Sequence, residues 1–233
     1  MESRIVEEII MGKTLNIKIE KDLYMNLRKI KLLNEYSVIK TIIYNIKYLN
    51  FKTAMKLPII VGKKSKILGK GSIIIKNPSK KIIIDKKSKI TIYGSLIVDG
   101  RIHIGKSSGI YIDENGILRI GDNVRINSNL SLNCYKEIGI GSNSLISWNC
   151  TILDCDFHKI YDSEDNIINS NQSIYIGDKV WVGNNVTILK GVKVHNNCII
   201  GAGSVVSNST NEENCIYAGV PIKKIRTKIK WEY

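Results

Sequence analysis

A period of six residues near the C-terminus constrains the fold of this chain more than any other feature. Apolar β-branched residues occupy every sixth position of one stretch: Ile176, Val182, Ile188, Val194, Ile200 and Val206. A small or branched residue follows each of them by four positions: Val180, Val186, Val192, Cys198, Ser204 and Thr210. A helix repeats near 3.6 residues and a strand every 2, so neither produces this spacing. Hexapeptide repeats are a signature of a parallel β-helix, in which the chain turns a corner about every six residues.

The pattern divides the chain into three segments. Residues 1–57 include an apolar stripe from Glu20 to Tyr48 with lysines on the other face, which predicts one or two amphipathic helices. Residues 58–218 are predicted to form the β-helix, irregular at first and regular from Ile120 onward. Residues 219–233 form a basic tail. We therefore expect an all-β fold, a left-handed parallel β-helix of hexapeptide repeats with an α-helical N-terminal segment.

Charge and composition limit the location and the partners. The net charge is +14, but the lysines are spread along the chain and no basic–aromatic platform for single strands is visible, which argues against nucleic acid. The N-terminus lacks the apolar core of a secretion signal. Five scattered cysteines without a CxxC motif indicate a reducing compartment. We expect a cytoplasmic protein whose helical segment either docks on the solenoid or lies peripherally on the inner face of the membrane.

A long excursion, residues 153–173, interrupts the regular repeats. Such an insertion in a compact repeat is usually functional or disordered. It carries His158 just after Asp154, Asp156 and Phe157. We expect Trp148, Phe157 and His158 to pack around one point. Either aspartate is a candidate to orient the His158 ring, although a carboxylate so close in sequence can also cap its own loop.

Several motifs in order resemble the left-handed β-helix acyltransferases, particularly the galactoside, maltose and xenobiotic acetyltransferase branch. They are ISWNCTILDCDFH, IGDKVWVGNNVTILKGVKV, IIGAGSVV and AGVPIKKIR. The motif ISWNCTILDCDFH resembles the version found in sugar O-acetyltransferases of surface-polysaccharide pathways. The resemblance covers about Ile120 to Arg226 and implies a homotrimer, with acetyl-CoA in the cleft between neighbouring β-helices. It implies no metal.

The resemblance also implies roles for individual residues. His158 matches the general base, a role that suits an imidazole with a pKa of about 6.5. The backbone N–H of Asn184 matches the donor to the oxyanion of the tetrahedral intermediate. Trp181 and Gly183 of the same motif are assigned to the cofactor site.

Further positions match the rest of the site. Those assigned to the cofactor are Ala202, Ser207 and Asn208 along the pantetheine arm, and Lys223 and Arg226 at the nucleotide phosphates. Many relatives carry Thr-Lys where this chain has Ser207-Asn208, so the lysine of that pair is missing from this chain. Those assigned to the acceptor are Asn127, Trp148 and Asp154.

The predicted function is transfer of acetyl from acetyl-CoA to a hydroxyl of a sugar, in a surface polysaccharide or its precursor. The alternative is N-acetylation of an amino sugar, such as a nucleotide sugar. Zinc-dependent carbonic anhydrases share the fold but need three converging histidines, whereas His103 and His195 resemble a strand position and a coil corner. A non-catalytic β-helix used for assembly is the third possibility, and the loop histidine argues against it.

Overall fold

The computed structural model describes residues 38–49 and 58–232, which form a helix followed by a parallel β-solenoid. Each strand is only two to four residues long, and a corner follows it. Three sheets run along the solenoid, one on each face, and their strands are parallel except for the final pair. The β-helix predicted from the six-residue period is confirmed.

The helix, α1, spans Val38–Tyr48. Sheet 1 contains β1 (Ile59–Val61), β4 (Ile82–Ile84), β7 (Ile102–Ile104), β10 (Val124–Ile126), β13 (Leu145–Ile146), β16 (Trp181–Val182), β19 (Ile199–Ile200), β21 (Ile216–Ala218) and β22 (Lys223–Arg226). Sheet 2 contains β2 (Lys66–Leu68), β5 (Lys89–Ile92), β8 (Gly109–Ile112), β11 (Ser131–Cys134), β14 (Thr151–Leu153), β17 (Thr187–Ile188) and β20 (Val205–Val206). Sheet 3 contains β3 (Ser72–Ile75), β6 (Ser95–Val98), β9 (Ile117–Ile120), β12 (Glu137–Ile140), β15 (Ile174–Ile176) and β18 (Lys193–Val194).

The coils differ in length but stack in register. In the first coils Ile59 pairs with Ile82 and Ile82 with Ile102, so these coils contain 23 and 20 residues. In the regular part Trp181 pairs with Ile199, which is the 18-residue coil of three hexapeptides. The extra residues of the early coils lie in longer strands, such as β5 with four residues against two in β17, and in the longer corner 76–81 of the first coil, and the inward rows still meet. The irregular segment is therefore part of the same solenoid, as predicted.

Tight turns join sheets 1 and 2 along one edge of the solenoid, which we call the 1/2 edge. Each turn has four residues: 62–65, 85–88, 105–108, 127–130, 147–150, 183–186 and 201–204. The third residue of every turn has a positive φ, between 57° and 71°. Asparagine tolerates this conformation better than most residues, and three of the seven positions are Asn. The corner between sheets 2 and 3 is called the 2/3 edge.

The core is a column of stacked aliphatic side chains inside the coils. Both predicted inward rows are buried, including Val182 and Val206 of the first row and Val180 and Cys198 of the second. All five cysteines are buried with free thiols, and burial raises the pKa of the Cys134 thiol to about 12. The interior is thus filled by Ile, Val and small residues that fit the narrow coil.

Helix α1 covers the N-terminal end of the solenoid. The Asn45 side chain pairs with both backbone groups of Ile59: its Nδ2 donates to the carbonyl at 2.6 Å, and its Oδ1 accepts from the N–H at 3.1 Å. Thr41 Oγ1 accepts the N–H of Val61 at 3.1 Å. These contacts satisfy backbone groups that an edge strand would otherwise leave unpaired. Docking of the helical segment is thus observed for residues 38–49, whereas the rest of the predicted helical stripe lies outside the described residues.

No helix in the described ranges is long and apolar enough to cross a bilayer.

Candidate functional site

The predicted catalytic loop leaves the solenoid at the 2/3 edge, after β14, and returns at β15. Its distal part is a hairpin in which Tyr161 and Ile167 form an antiparallel bridge and the Ile168 N–H donates to the Ile160 carbonyl at 2.9 Å. Four residues of this hairpin, Ile160, Tyr161, Ile167 and Ile168, are aliphatic or aromatic and exposed by 47–61%, whereas residues 162–166 between them are polar. So much exposed apolar surface on one loop is typical of a contact site.

Three polar side chains anchor the base of the loop, and we call them the loop clamp: Asp156, Asn169 and Lys190. Lys190 Nζ lies 2.5 Å from Asp156 Oδ2 and donates to the Asn169 carbonyl at 2.8 Å. Asn169 Nδ2 donates to Asp156 Oδ2 at 2.9 Å and to the His158 carbonyl at 2.7 Å. The Lys190 ammonium, with help from Asn169, holds the pKa of the Asp156 carboxyl below its usual value. The clamp therefore fixes the backbone that carries His158.

The His158 side chain itself is exposed, and its ring makes no hydrogen bond to any part of the chain that the structure describes. Asp156, predicted as a candidate to orient the ring, instead uses its Oδ2 in the clamp. The other two histidines have partners. His195 Nδ1 lies 3.0 Å from Thr210 Oγ1, and His103 Nε2 lies 3.0 Å from Asp85 Oδ2. Only the loop histidine is thus presented to solvent with both nitrogens available.

Asp154, predicted to contact the acceptor, is completely buried. Its two carboxylate oxygens accept the backbone N–H groups of Tyr135 and Lys136 at 2.7 and 2.8 Å, which ties the loop to the coil below. Burial raises the pKa of Asp154, opposed by these backbone donors. This placement gives Asp154 a structural contact and leaves it no exposed surface for a sugar.

The 1/2 edge brings together five of the eleven positions predicted for cofactor and acceptor. Trp148, Asn184 and Ala202 are the second residues of successive turns and form one column. Asn185 donates its N–H to the Trp148 carbonyl at 3.0 Å, and Gly203 donates to the Asn184 carbonyl at 2.8 Å. The N–H groups of Asn184 and Ala202 make no hydrogen bond within residues 58–232. They are donors without an internal acceptor, as an oxyanion or pantetheine site needs.

Two other predicted site residues, Gly183 and Asn127, lie on the same edge as this column. A Cβ at Gly183 would lie 2.7 Å from the Ala202 nitrogen, so glycine permits the close stacking of the two turns. Asn127 occupies the first position of a lower turn and is half-buried. It therefore lies on the same edge, two coils below Gly183.

Trp181 lies on sheet 1 beside this edge. Its Nε1 donates to Ser147 Oγ at 3.1 Å, and its ring centroid is 6.0 Å from that of Trp231. Trp231 is buried, and its Nε1 donates to the Lys179 carbonyl at 2.9 Å. Sequence reasoning missed Trp231 because nothing in the basic tail marks one tryptophan as returning to a coil fifty residues earlier.

The remaining predicted cofactor positions lie near the C-terminal end. Ser207 and Asn208 follow β20 and are exposed. Lys223 and Arg226 are exposed on β22, which pairs antiparallel with β21. Lys223 lies opposite Ala218, and a Cβ at Gly201 would touch Ala218 Cβ at 2.8 Å. The basic strand therefore lies directly beyond the Ala202 turn.

The structure separates the predicted site into two parts. His158 is on the loop at the 2/3 edge, whereas Asn184 and Ala202 are at the 1/2 edge, on the other side of sheet 2. The expectation that Trp148, Phe157 and His158 pack together was wrong, because Trp148 belongs to the 1/2 edge. Phe157 instead packs edge-on against Tyr135, with ring centroids 5.8 Å apart. Residues close in sequence diverge here because β14, a strand of sheet 2, lies between them.

No group of three or more metal-ligating side chains occurs in the part of the chain that the structure describes.

Comparisons with known proteins identify relatives of this arrangement. The family profile described as bacterial transferase hexapeptide (six repeats) matches residues 173–208. WbbJ of Escherichia coli K12, an O-acetyl transferase assigned to lipopolysaccharide biosynthesis, is 31% identical over 144 residues, which cover 55% of this chain and 72% of WbbJ. Galactoside O-acetyltransferase of the same organism is 34% identical over 122 residues, 50% of this chain and 57% of the relative. The chain thus spans less than two thirds of that second relative.

Solved structures agree with the fold. The crystal structure of the polysialic acid O-acetyltransferase OatWY superposes with a TM-score of 0.57 and 28% identity, over 72% of this chain and 92% of OatWY. The polysialic acid acetyltransferase NeuO has a TM-score of 0.55 at 24% identity, over 73% of this chain and 89% of NeuO, which supports the fold alone.

Proposed function

The chain belongs to the hexapeptide-repeat family of bacterial transferases and is an acyltransferase, and on that basis we propose that it transfers acetyl from acetyl-CoA to a sugar hydroxyl. The acceptor is a sugar of a surface polysaccharide or its precursor. Support comes from the relatives: WbbJ is assigned to lipopolysaccharide biosynthesis, OatWY is a polysialic acid O-acetyltransferase, and the third is a galactoside O-acetyltransferase. The observation that carries the proposal is the exposed, unpaired ring of His158 on a clamped loop.

His158 acts as the general base in this proposal. A sugar hydroxyl is a weak nucleophile at neutral pH, so a positioned base must accept its proton as the oxygen attacks the thioester carbonyl. Collapse of the tetrahedral intermediate breaks the carbon–sulfur bond and releases the CoA thiolate. The imidazolium returns the proton to that sulfur. The clamp supports this role because it holds the His158 backbone while leaving both ring nitrogens open.

The 1/2 edge supplies the rest of the proposed machinery. The unpaired N–H of Asn184 donates to the oxyanion, and that of Ala202 donates to the pantetheine arm. Lys223 and Arg226, on the strand beyond Ala202, meet the nucleotide phosphates, where the guanidinium offers a bidentate grip. The donor therefore lies along the C-terminal half of this edge.

We also propose that the complete site forms between copies of the chain in a homotrimer. His158 and Asn184 lie on different edges of one solenoid, so a loop from one copy must meet the 1/2 edge of the next. The exposed apolar hairpin around Tyr161 and Ile167 supports this assembly, because a neighbour would cover it. Sedimentation of the purified protein at micromolar concentration tests it, and a clean monomer contradicts it.

Acceptor chemistry gives the decisive test of the function. Purified protein is incubated with acetyl-CoA and oligosaccharides that offer hydroxyls only or an additional free amine, and free thiol and acetylated product are measured. We expect a product whose acetyl group is removed by mild base, as for an ester. A base-stable product formed only on the amine indicates the N-acetylation alternative. Absence of transfer to either acceptor class, with CoA bound, contradicts the proposal.

A further inference from the structure

Lysines are spread along the whole sequence but acidic residues are not, so the net positive charge of the solenoid lies at one end. Residues 58–106, which form the first two coils and the start of the third, contain eleven lysines, one arginine and two aspartates. Residues 107–232, which include every residue of the proposed site, contain twelve basic and thirteen acidic residues. The N-terminal coils are therefore strongly basic, while the coils that carry the chemistry are close to neutral.

Seven of these lysines lie on the 1/2 edge or on the adjoining start of sheet 2, and we call them the lysine column: Lys63, Lys64, Lys66, Lys86, Lys87, Lys89 and Lys106. Hydrogen bonds between turns establish the stacking. The Lys87 N–H donates to the Lys63 carbonyl at 3.1 Å, and Lys66 lies opposite Lys89 in the sheet. Six of the seven side chains are exposed. The acidic residue in these turns, Asp85, contacts His103 on sheet 1.

The lysine column is continuous with the proposed site. Lys63, Lys86 and Lys106 are second residues of their turns, which is also the position of Trp148 and Asn184. Hydrogen bonds between successive turns continue toward the C-terminal coils. The Asn129 N–H donates to the Lys106 carbonyl at 2.9 Å, and the Asn149 N–H donates to the Ser128 carbonyl at 3.1 Å. Adjacent coils are about 4.8 Å apart, so Trp148 lies about 10 Å above Lys106 along the edge.

The two ends of this edge suit different substrates. In the proposed function, CoA extends from Asn184 through Ala202 toward Lys223 and Arg226, at the C-terminal end. The acceptor must then approach from the other side, past Trp148 and Asn127. Trp148 is 49% exposed, and an indole face is a suitable platform for a sugar ring. The lysine column lies directly below, where the next sugars of a polymeric acceptor would be.

We propose that the lysine column binds an anionic polysaccharide acceptor, whose carboxylate or phosphate groups contact successive lysines while one sugar reaches the catalytic coils. The inference rests on the proposed acetyl transfer and specifies its acceptor class. The positive field along one edge attracts a polyanion. Because charges are screened within about 8 Å at physiological ionic strength, the anionic groups must come into contact with the lysines. A protein interface is disfavoured, since interface cores are depleted of lysine.

A membrane surface is the competing partner for such a basic region. The lysine column follows one narrow edge across three coils, whereas a flat bilayer would favour charges spread over a face. Continuity with Trp148 also favours a linear polymer that enters the site. An experiment with both kinds of probe decides between them.

The test compares two quadruple variants that lose the same charge. The column variant is Lys63→Gln, Lys66→Gln, Lys89→Gln and Lys106→Gln, which avoids the positive-φ positions Lys64 and Lys87. The control variant carries Lys→Gln at four exposed lysines away from the 1/2 edge, namely Lys70, Lys136, Lys193 and Lys230. Binding to polysialic acid, poly(glycerol phosphate), neutral dextran, CoA and phosphatidylglycerol vesicles is measured at two salt concentrations, together with thermal unfolding.

The parent should bind at least one anionic polymer in a salt-sensitive manner and should not bind dextran. One exposed charge pair contributes about 1.4- to 5-fold in affinity, so the column variant should lose about tenfold while the control loses less than threefold. CoA affinity should be unchanged in both.

Four results overturn the proposal: no binding to either polymer, losses in the two variants within threefold of each other, a loss of CoA affinity instead, or binding to vesicles but not polymers. Failure of polymer binding with transfer to neutral sugars intact refutes the lysine column alone. Absence of transfer with polymer binding intact refutes the proposed chemistry. If the column variant unfolds, the single variants Lys106→Gln and Lys136→Gln are compared in the same way. A larger loss of polymer affinity in Lys106→Gln is the expected result, and equal losses refute the proposal.

Discussion

Replacing Asn184 with proline removes one backbone N–H and tests the oxyanion role directly. The substitution suits the turn. Asn185, the next residue, has φ 57°, so Asn184 occupies the i+1 position of a type II-like turn, where proline is favoured. The lost N–H makes no hydrogen bond within the described residues, so the fold loses no internal bond. The carbonyl of Asn184, which accepts from Gly203, is retained.

The expected effect on catalysis is large. Removal of one donor to an oxyanion typically lowers kcat about 10²- to 10³-fold, or about 2.7–4 kcal/mol of transition-state stabilisation. The KM for acetyl-CoA should change much less, because the ground-state thioester oxygen carries little charge. Steady-state release of CoA thiol, with acetyl-CoA and a sugar acceptor varied in turn, separates the two parameters.

Ser128→Pro is the matched control. Ser128 occupies the same turn position two coils below Asn184, its N–H is also unbonded within the described residues, and Asn129 after it has φ 64°. This variant should retain kcat within a few-fold, and both variants should unfold at the parent's temperature. If Asn184→Pro folds normally and keeps the parent kcat, the Asn184 N–H is not the oxyanion donor and the reasoning is refuted.

Other residues of the site lead to four more expectations. His158→Ala should lower kcat about 10²- to 10⁴-fold with CoA binding intact, whereas His195→Ala should stay within a few-fold; equal effects would remove the loop histidine from the mechanism. The double variant Lys223→Ala/Arg226→Ala should raise the KM for acetyl-CoA about tenfold or more, and unchanged kinetics would show these charges to be merely solvated. Lys190→Met should loosen the loop clamp by about 1–2 kcal/mol, since its carboxylate partner is more than a third exposed. Hydrogen exchange in the loop should then be about 5- to 30-fold faster, and unchanged exchange would refute the clamp. In the parent the same loosening should occur only in acid, because the clamp carboxylate has a lowered pKa: the clamp is intact above the ordinary carboxylate pKa and is lost as the pH falls through the lowered one.

The sequence was sufficient for the fold class because the determining signal is local and periodic. Val182, Ile188 and Val194 each point inward only if the chain turns every six residues, and all three are buried. The irregular coils before Ile120 were identified from short apolar runs that alternate with Gly, Lys and Ser, and their register was not predictable. Ile59 pairs with Ile82 across 23 residues because longer strands and one longer corner take up the difference, which no fixed period describes.

The relative placement of residues was predictable where they lie within one motif. Trp181, Gly183 and Asn184 lie within four residues, so one strand end and the corner after it carry all three. Asp154 and His158 are also close in sequence, but burial decided that the aspartate binds the backbone of the coil below. Exposure is a property of the packed structure. Asp154 lies at the base of the loop, against the coil below, whereas His158 lies further along the loop and is exposed.

Long-range contacts were decided by tertiary structure alone. Lys190 reaches Asp156 across the loop, Trp231 returns to Trp181, and Lys63 lies in one column with Asn184. In each case the partners are tens of residues or more apart in sequence. Closure of a coil turns a separation of about twenty residues into a spacing of about 4.8 Å, so charges that are scattered along the sequence become one continuous surface.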